Sequence, residues 1–174
     1  MEEPLGEGEI ALNLGCGLIR WPGWVNVDLH GDPDVRSDLR ELDFPSNHAD
    51  RIAAIHVFEH FYRWEVQAML VEWKRVLKPG GRLVLEMPDL TRILGHIIAR
   101  LNKNQAPAAF MSWNALWGDP REKNPAMCHR WAYTEFDVYG ELERAGFVDV
   151  FRTEARYHFP IRDMRIEAFK PSTT

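Results

Sequence analysis

The stretch Ile10-Ala11-Leu12-Asn13-Leu14-Gly15-Cys16-Gly17 constrains this chain more than any other. An apolar run of this length, broken by Gly-x-Gly, reads as a buried parallel strand followed by a sharp turn. Glycine at the strand's carboxyl end lets the backbone approach a ligand that a β-carbon would hold away. In open α/β sheets ligands sit beyond the carboxyl ends of the strands, so a cofactor is expected here. A second apolar run, Trp24-Val25-Asn26-Val27-Asp28-Leu29, ends in an acid. A carboxylate at the tip of the neighbouring strand is placed to accept hydrogen bonds from ribose hydroxyls. The third glycine of a dinucleotide fingerprint is missing, because Gly17 is followed by Leu18-Ile19-Arg20. Without a pyrophosphate cradle, an adenosine ligand that carries no phosphates fits better.

The short spacing between these runs narrows the architecture. Seven residues separate Gly17 from Val25, where parallel strands usually take a crossover of a dozen or more. Trp21 and Trp24 are expected to cover sheet that a helix would otherwise bury. The next connection is equally short and leads to a brief third strand over 35–37, ending at Asp38. A helical turn is expected over 39–42, then strand four over 51–57. Residues 62–77 carry apolar side chains at Val66, Met69, Leu70, Trp73, Val76 and Leu77, a helical period, with Pro79-Gly80-Gly81 as the stop. Strand five follows over 82–87. Asp89 reads as the N-cap of a helix to about residue 100, and a second, aromatic-rich helix is expected near 107–117. Residues 118–130 are irregular. Thr134 opens another helix that Gly146 closes. Residues 147–152 and 165–169 read as strands, the last antiparallel.

The fold class expected is therefore α/β: a Rossmann-like, mostly parallel sheet with an antiparallel last strand, shortened first crossovers and a helical insertion after strand five. At 174 residues, 45% of them hydrophobic, the chain suits one domain with a full core. A net charge of -5 gives no basic footprint for nucleic acid. Two cysteines, Cys16 and Cys128, supply no disulfide framework and suit reduced thiols in a cytoplasmic protein. Residues 1–8 read as a loose acidic lead-in. Met1-Glu2-Glu3-Pro4 shows neither the basic nor the hydrophobic region of a signal peptide, and no apolar run reaches membrane length. A sheet face left bare by the short crossover is a candidate homodimer surface.

Taken together, Leu12-Asn13-Leu14-Gly15-Cys16-Gly17, Val27-Asp28, Asp38-Leu39-Arg40-Glu41-Leu42-Asp43-Phe44-Pro45, Ala49-Asp50-Arg51-Ile52, Val57-Phe58-Glu59-His60-Phe61 and Leu77-Lys78-Pro79-Gly80-Gly81-Arg82-Leu83 resemble, in order, the motifs of class I S-adenosylmethionine-dependent methyltransferases. The tail from His129-Arg130-Trp131-Ala132-Tyr133-Thr134 to Ala145-Gly146-Phe147 resembles small bacterial methyltransferases linked to cell-surface glycan synthesis. The resemblance implies a single methyltransferase-like domain over 1–174, with 103–133 as a cap on the substrate side. It implies S-adenosylmethionine as cofactor and a small-molecule or glycan acceptor. Asn13, Gly15, Cys16 and Gly17 would line the cofactor's methionine part. Asp28 would hold the ribose hydroxyls, with Leu29 against the adenine. Asp38 would accept from the adenine amino group beside a backbone contact from Leu39, and His56 and Val57 would lie near the methionine end. The departure is the lost helix after the glycine turn, and with it that helix's positive dipole end. Arg20 is the candidate replacement donor to the cofactor's carboxylate.

Methyl transfer from a sulfonium is an in-line displacement helped mostly by alignment, and a hydroxyl acceptor gains further from a base. His60 and His129 are the candidate catalytic residues, because histidine titrates near neutral pH. Their bland alternatives are a loop-holding hydrogen bond and a capping histidine. His56-Val57-Phe58-Glu59-His60 also spells the zinc-peptidase pattern His-x-x-Glu-His. That chemistry needs both histidines on one helical face, whereas the first here follows a strand, so no metal site is expected. Trp64 and Trp73 are expected in the core, and Trp113, Trp117 and Trp131 near the acceptor. Rival readings are a non-catalytic module that binds S-adenosylmethionine or S-adenosylhomocysteine, a nicotinamide-dependent oxidoreductase and a metallopeptidase.

Overall fold

The computed structural model describes residues 4–172. Its sheet contains β1 (Ala11–Leu14), β2 (Val25–Asp28), β3 (Val35–Arg36), β4 (Ala49–Ile55), β5 (Leu77–Pro88), β6 (Val148–Thr153) and β7 (Asp163–Phe169). The strands lie in the order β3-β2-β1-β4-β5-β7-β6. β7 runs antiparallel to both neighbours, and the other pairings are parallel. This is the Rossmann-like sheet, antiparallel at its end, that the strand pattern predicts.

Helices α1 (Val66–Val76) and α4 (Glu135–Arg144) share one core with one sheet face. α1 buries Val66, Met69, Leu70, Trp73 and Val76, the stripe its period dictates. The core adds Leu12, Leu14, Ile52, Leu83, Leu85 and Ile166 from the strands. Helix α2 (Leu90–Leu101) starts at Asp89, whose side chain accepts from the Thr91 and Arg92 amides. α4 starts at a capping box between Thr134 and Asp137.

No helix joins β1 to β2. Asn26, buried between them, does that work: its Oδ1 accepts from Asn13 Nδ2 at 3.0 Å and from the Trp21 amide at 2.7 Å, and its Nδ2 donates to Asp34 Oδ2 at 2.7 Å. These bonds satisfy polar groups that a helix would have paired internally. The face is not left bare. Trp24 is buried over Ala11, Ala53 and Val84, with Leu5 and Trp21 against them. Trp21 and Trp24 thus cover the sheet where a helix would have, as expected from the short crossover. The loose lead-in is corrected, since Leu5 packs and Gly6 is held by Glu9. Residues 1–3 of that lead-in lie outside the described residues.

Further differences have local causes. β4 stops at Ile55 rather than 57, because His56 takes a φ of +53°. β5 begins at Leu77 instead of 82, and the sheet register slips across the Lys78-Pro79-Gly80-Gly81 turn. A β-carbon on Gly81 would lie 2.8 Å from the Lys78 carbonyl oxygen, so glycine lets the bulge close. The helix expected near 107–117 breaks at Ser112 into a 3-10 turn (Ala109–Met111) and α3 (Trp113–Trp117). Trp64 precedes α1 and is exposed, while Trp73 is fully buried. Among the described residues no helix is long and apolar enough to cross a membrane.

Candidate active site

A cavity of about 740 Å³ opens at the carboxyl ends of β1 and β4. The strand ends, the segment from Phe110 to His129 and the β6–β7 loop all line it. It gathers Asn13, Gly15, Cys16, Gly17, His56, His60 and His129 of the sequence-predicted set. Asp28, Leu29, Asp38, Leu39 and Val57 are not among its lining residues.

The glycine turn is fixed to β2. The Val27 carbonyl oxygen accepts from the Gly15 and Cys16 amides at 2.8 and 3.2 Å. Asp28 Oδ2 accepts from the Gly17 amide and Oδ1 from the His30 amide, each at 2.9 Å. Asp28 thus ties the two strand tips together. Gly15 has a φ of +67°, and a β-carbon there would collide with Val57. Val57 therefore shapes the turn from below. Burial, with the charge of Asp28 nearby, pushes the Cys16 thiol up, which suits a packing residue more than a nucleophile. Asn13 spends its side-chain amide on Asn26 and on the Ile19 carbonyl oxygen. Asp38 pairs with Arg40, and the Leu39 carbonyl oxygen accepts from Trp73 Nε1 at 2.7 Å. Arg20 pairs with Asp34 and lies 3.6 Å from Asp32. It is not a cavity-lining residue, so the replacement-donor expectation is corrected: two local carboxylates claim its charge.

His56 sits between two carboxylates. Its Nε2 lies 2.9 Å from Asp163 Oδ2 and its Nδ1 3.0 Å from Glu59 Oε1. Burial alone would depress its pKa, but Asp163 and Glu59 outweigh that and raise it to about 9. Burial likewise opposes ionisation of Glu59, yet His56 and the neighbouring histidines hold its carboxyl at about 2. The group is a buried imidazolium between two carboxylates.

Glu59 and His60 occupy a 3-10 turn (Phe58–His60) after β4. His129 arrives from the segment that follows α3 and the 3-10 turn Pro125–Met127. The Glu59 carbonyl oxygen accepts from the Arg130 amide at 2.7 Å, which pins the returning chain to the turn. The rings of His60 and His129 meet edge to face at 4.9 Å. Burial pulls the His129 pKa down, so its imidazole is neutral at neutral pH.

The β6–β7 loop carries a group of lining residues that the sequence did not reveal. Tyr157, His158, Phe159 and Arg162 all face the cavity. Glu86 holds the loop by accepting from the Arg156 and Tyr157 amides at 2.9 and 2.6 Å. Tyr157 stacks on Trp21 at 5.2 Å. Trp113 and Trp117 instead line a second hollow of about 510 Å³, which shares Asn114, Asp119 and Met127 with the main cavity. Trp131 lines neither.

Residues 23–85 match the sequence profile of a family described as a methyltransferase domain. No curated protein matches the chain in sequence. Among solved structures, the chain is similar to a S-adenosylmethionine-dependent methyltransferase of Methanosarcina mazei, at 18% identity and a TM-score of 0.66, with 97% of this chain and 95% of that one covered. A S-adenosylmethionine-dependent methyltransferase of Archaeoglobus fulgidus gives 18% and 0.63, with 93% and 86% covered. A possible exported protein of Bordetella parapertussis gives 18% and 0.58, with 95% of this chain covered and this chain spanning 62% of its length. At such identities the likeness establishes the fold, the Rossmann-like one of these methyltransferases.

Proposed function

We propose that the protein transfers a methyl group from S-adenosylmethionine to a hydroxyl of a small-molecule or glycan acceptor, with 103–133 as the substrate-side cap. One observation carries this reading: a single cavity gathers the Gly15-Cys16-Gly17 turn, His60 and His129. The methyltransferase-domain match over 23–85 supports it independently, because that match excludes the glycine turn itself. In the proposed site the methionine part lies along the turn. Asp28 turns to the ribose the lone pairs that its two amide contacts leave free. The acceptor oxygen attacks the methyl carbon, the carbon–sulfur pair returns to sulfur as S-adenosylhomocysteine leaves, and the hydroxyl proton passes to a base. His129, held neutral by burial, suits that base. The solvent-facing indoles of Trp113 and Trp117 beside the adjoining hollow favour a ring-shaped acceptor such as a sugar.

Calorimetric titration with S-adenosylhomocysteine tests the cofactor, with NADH as the rival ligand. Micromolar binding of the former alone is expected, and binding of NADH alone would sink the proposal. Asp28→Ala should weaken S-adenosylhomocysteine by about 2 kcal/mol or more. Unchanged affinity in a folded variant would remove the role proposed for Asp28.

A further inference from the structure

We propose that Glu59, His60 and His129 form a binding site for a divalent first-row transition-metal ion in the cavity wall. One donor atom from each lies within 4.8 Å of the other two. Two metal bonds of about 2.0–2.2 Å span at most about 4.3 Å, so small rotations of the two partly exposed imidazoles close the set. The hydrogen bonding fixes what each group offers. His60 Nδ1 lies 3.3 Å from the Cys128 carbonyl oxygen, and His129 Nδ1 lies 2.9 Å from that of Ala115. A carbonyl oxygen only accepts, so each Nδ1 carries a proton, and Nε2 is the ring atom of each histidine available to ligate. Imidazoles that ligate metals are oriented in this way by their other nitrogen.

Between them stands Glu59, 2% exposed, and neither of its carboxylate oxygens receives a hydrogen bond. Its Oε1 is ion-paired with His56 Nδ1 at 3.0 Å, whereas Oε2 has no partner. His56 answers Oε1, and Oε2 is the buried carboxylate oxygen left to a metal ion in one cluster with the two imidazoles. Two imidazoles and one carboxylate suit zinc or iron(II). This is not the metallopeptidase pattern read along the sequence, because His56 spends both ring nitrogens on Asp163 and Glu59. The second histidine ligand comes instead from His129.

His60 and His129 both line the cavity, so an ion held by them keeps a coordination position open to the acceptor. A hydroxyl bound there would lose its proton to solvent more readily, with the imidazoles as ligands in place of a base. That consequence rests on the methyl-transfer reading, whereas the binding itself does not.

The test uses tag-free full-length protein, stripped with chelator and titrated with Co²⁺, followed by the visible absorption of the bound ion. Wild type should saturate at one equivalent, and Zn²⁺ should bleach the band. His60→Ala and His129→Ala should each weaken binding tenfold or more, as should Glu59→Gln, with circular dichroism confirming the fold. His30→Ala, at an exposed histidine outside the set, should bind as wild type does. Absence of the band in folded wild type, or equal binding by the three ligand variants, would overturn the site. S-adenosylhomocysteine is titrated separately. Its binding without metal binding defeats this proposal alone, and metal binding without it defeats only the methyl-transfer reading.

Discussion

On one face of the sheet, Leu12, Ile52, Leu83, Leu85 and Ile166 share a core with Trp73 of α1 and Leu142 of α4. On the other, Arg82, Glu86, Arg165 and Glu167 stand on the same strands, and the last three are 2% exposed or less. The first face is held by non-directional burial under two helices. The second lacks helices beside β1 and β2 and is covered by Leu5, the Trp21–Trp24 turn and the β6–β7 loop. Buried charges are a poor source of net stability, since desolvation offsets most of their attraction. What they supply here is direction. Glu86 fixes two successive loop amides, and Asp163 fixes His56. Both contacts lead to the cavity wall. The helical face stabilises the domain, and the ionic face positions the site.

The tryptophans on opposite faces give the strongest test of this division. Trp73→Ala should cost about 4 kcal/mol, because the indole is fully buried and its Nε1 donates to the Leu39 carbonyl oxygen. Trp24→Ala empties a smaller cluster and should cost less, about 2–3 kcal/mol. Urea unfolding of both variants measures the difference. Equal losses would mean that the two faces share the load, and the comparison would fail.

Glu86→Gln asks whether the ionic face positions the loop. The carboxylate accepts from two amides, whereas a carboxamide offers one acceptor and turns an N–H group toward the other. Stability should fall by about 1–2 kcal/mol. Hydrogen exchange at Arg156 and Tyr157 should quicken while that of α1 stays slow. Uniform quickening would assign Glu86 to general stability instead.

The same division explains what the sequence disclosed. β1, β2 and the helical stripe of α1 were legible because apolar periodicity reports burial directly, and Asp89 and Thr134 were legible as caps because capping is local. The role of residues 154–162 was not. Glu86 and its loop partners lie about 70 residues apart in sequence, and no local pattern encodes such a pairing. Arg165 and Glu167 alternate with apolar residues along β7, and their mutual pairing, which no local pattern announces, keeps them buried. Of the site, the glycine turn was legible because its constraint is steric. The meeting of Glu59, His60 and His129 depends on the segment 118–130, which returns the chain to the Phe58–His60 turn and carries no periodicity.

The acid limb of stability gives the finest distinction between the faces. Burial pushes the Glu167 carboxyl up, but the Arg165 and Arg82 guanidiniums outweigh it and hold the pKa below its ordinary 4.5. A depressed carboxylate contributes stability that is fully present above its unfolded pKa and is lost as pH falls through the folded one. The wild-type urea midpoint should therefore drop as pH falls from about 5 to about 3, and Glu167→Gln should drop less steeply. Trp73→Ala should lower the whole profile without changing its slope, because an apolar contact binds no proton. Should Glu167→Gln keep the wild-type slope, acid sensitivity would belong to surface carboxylates, and the ionic face would be as indifferent to pH as the helical one.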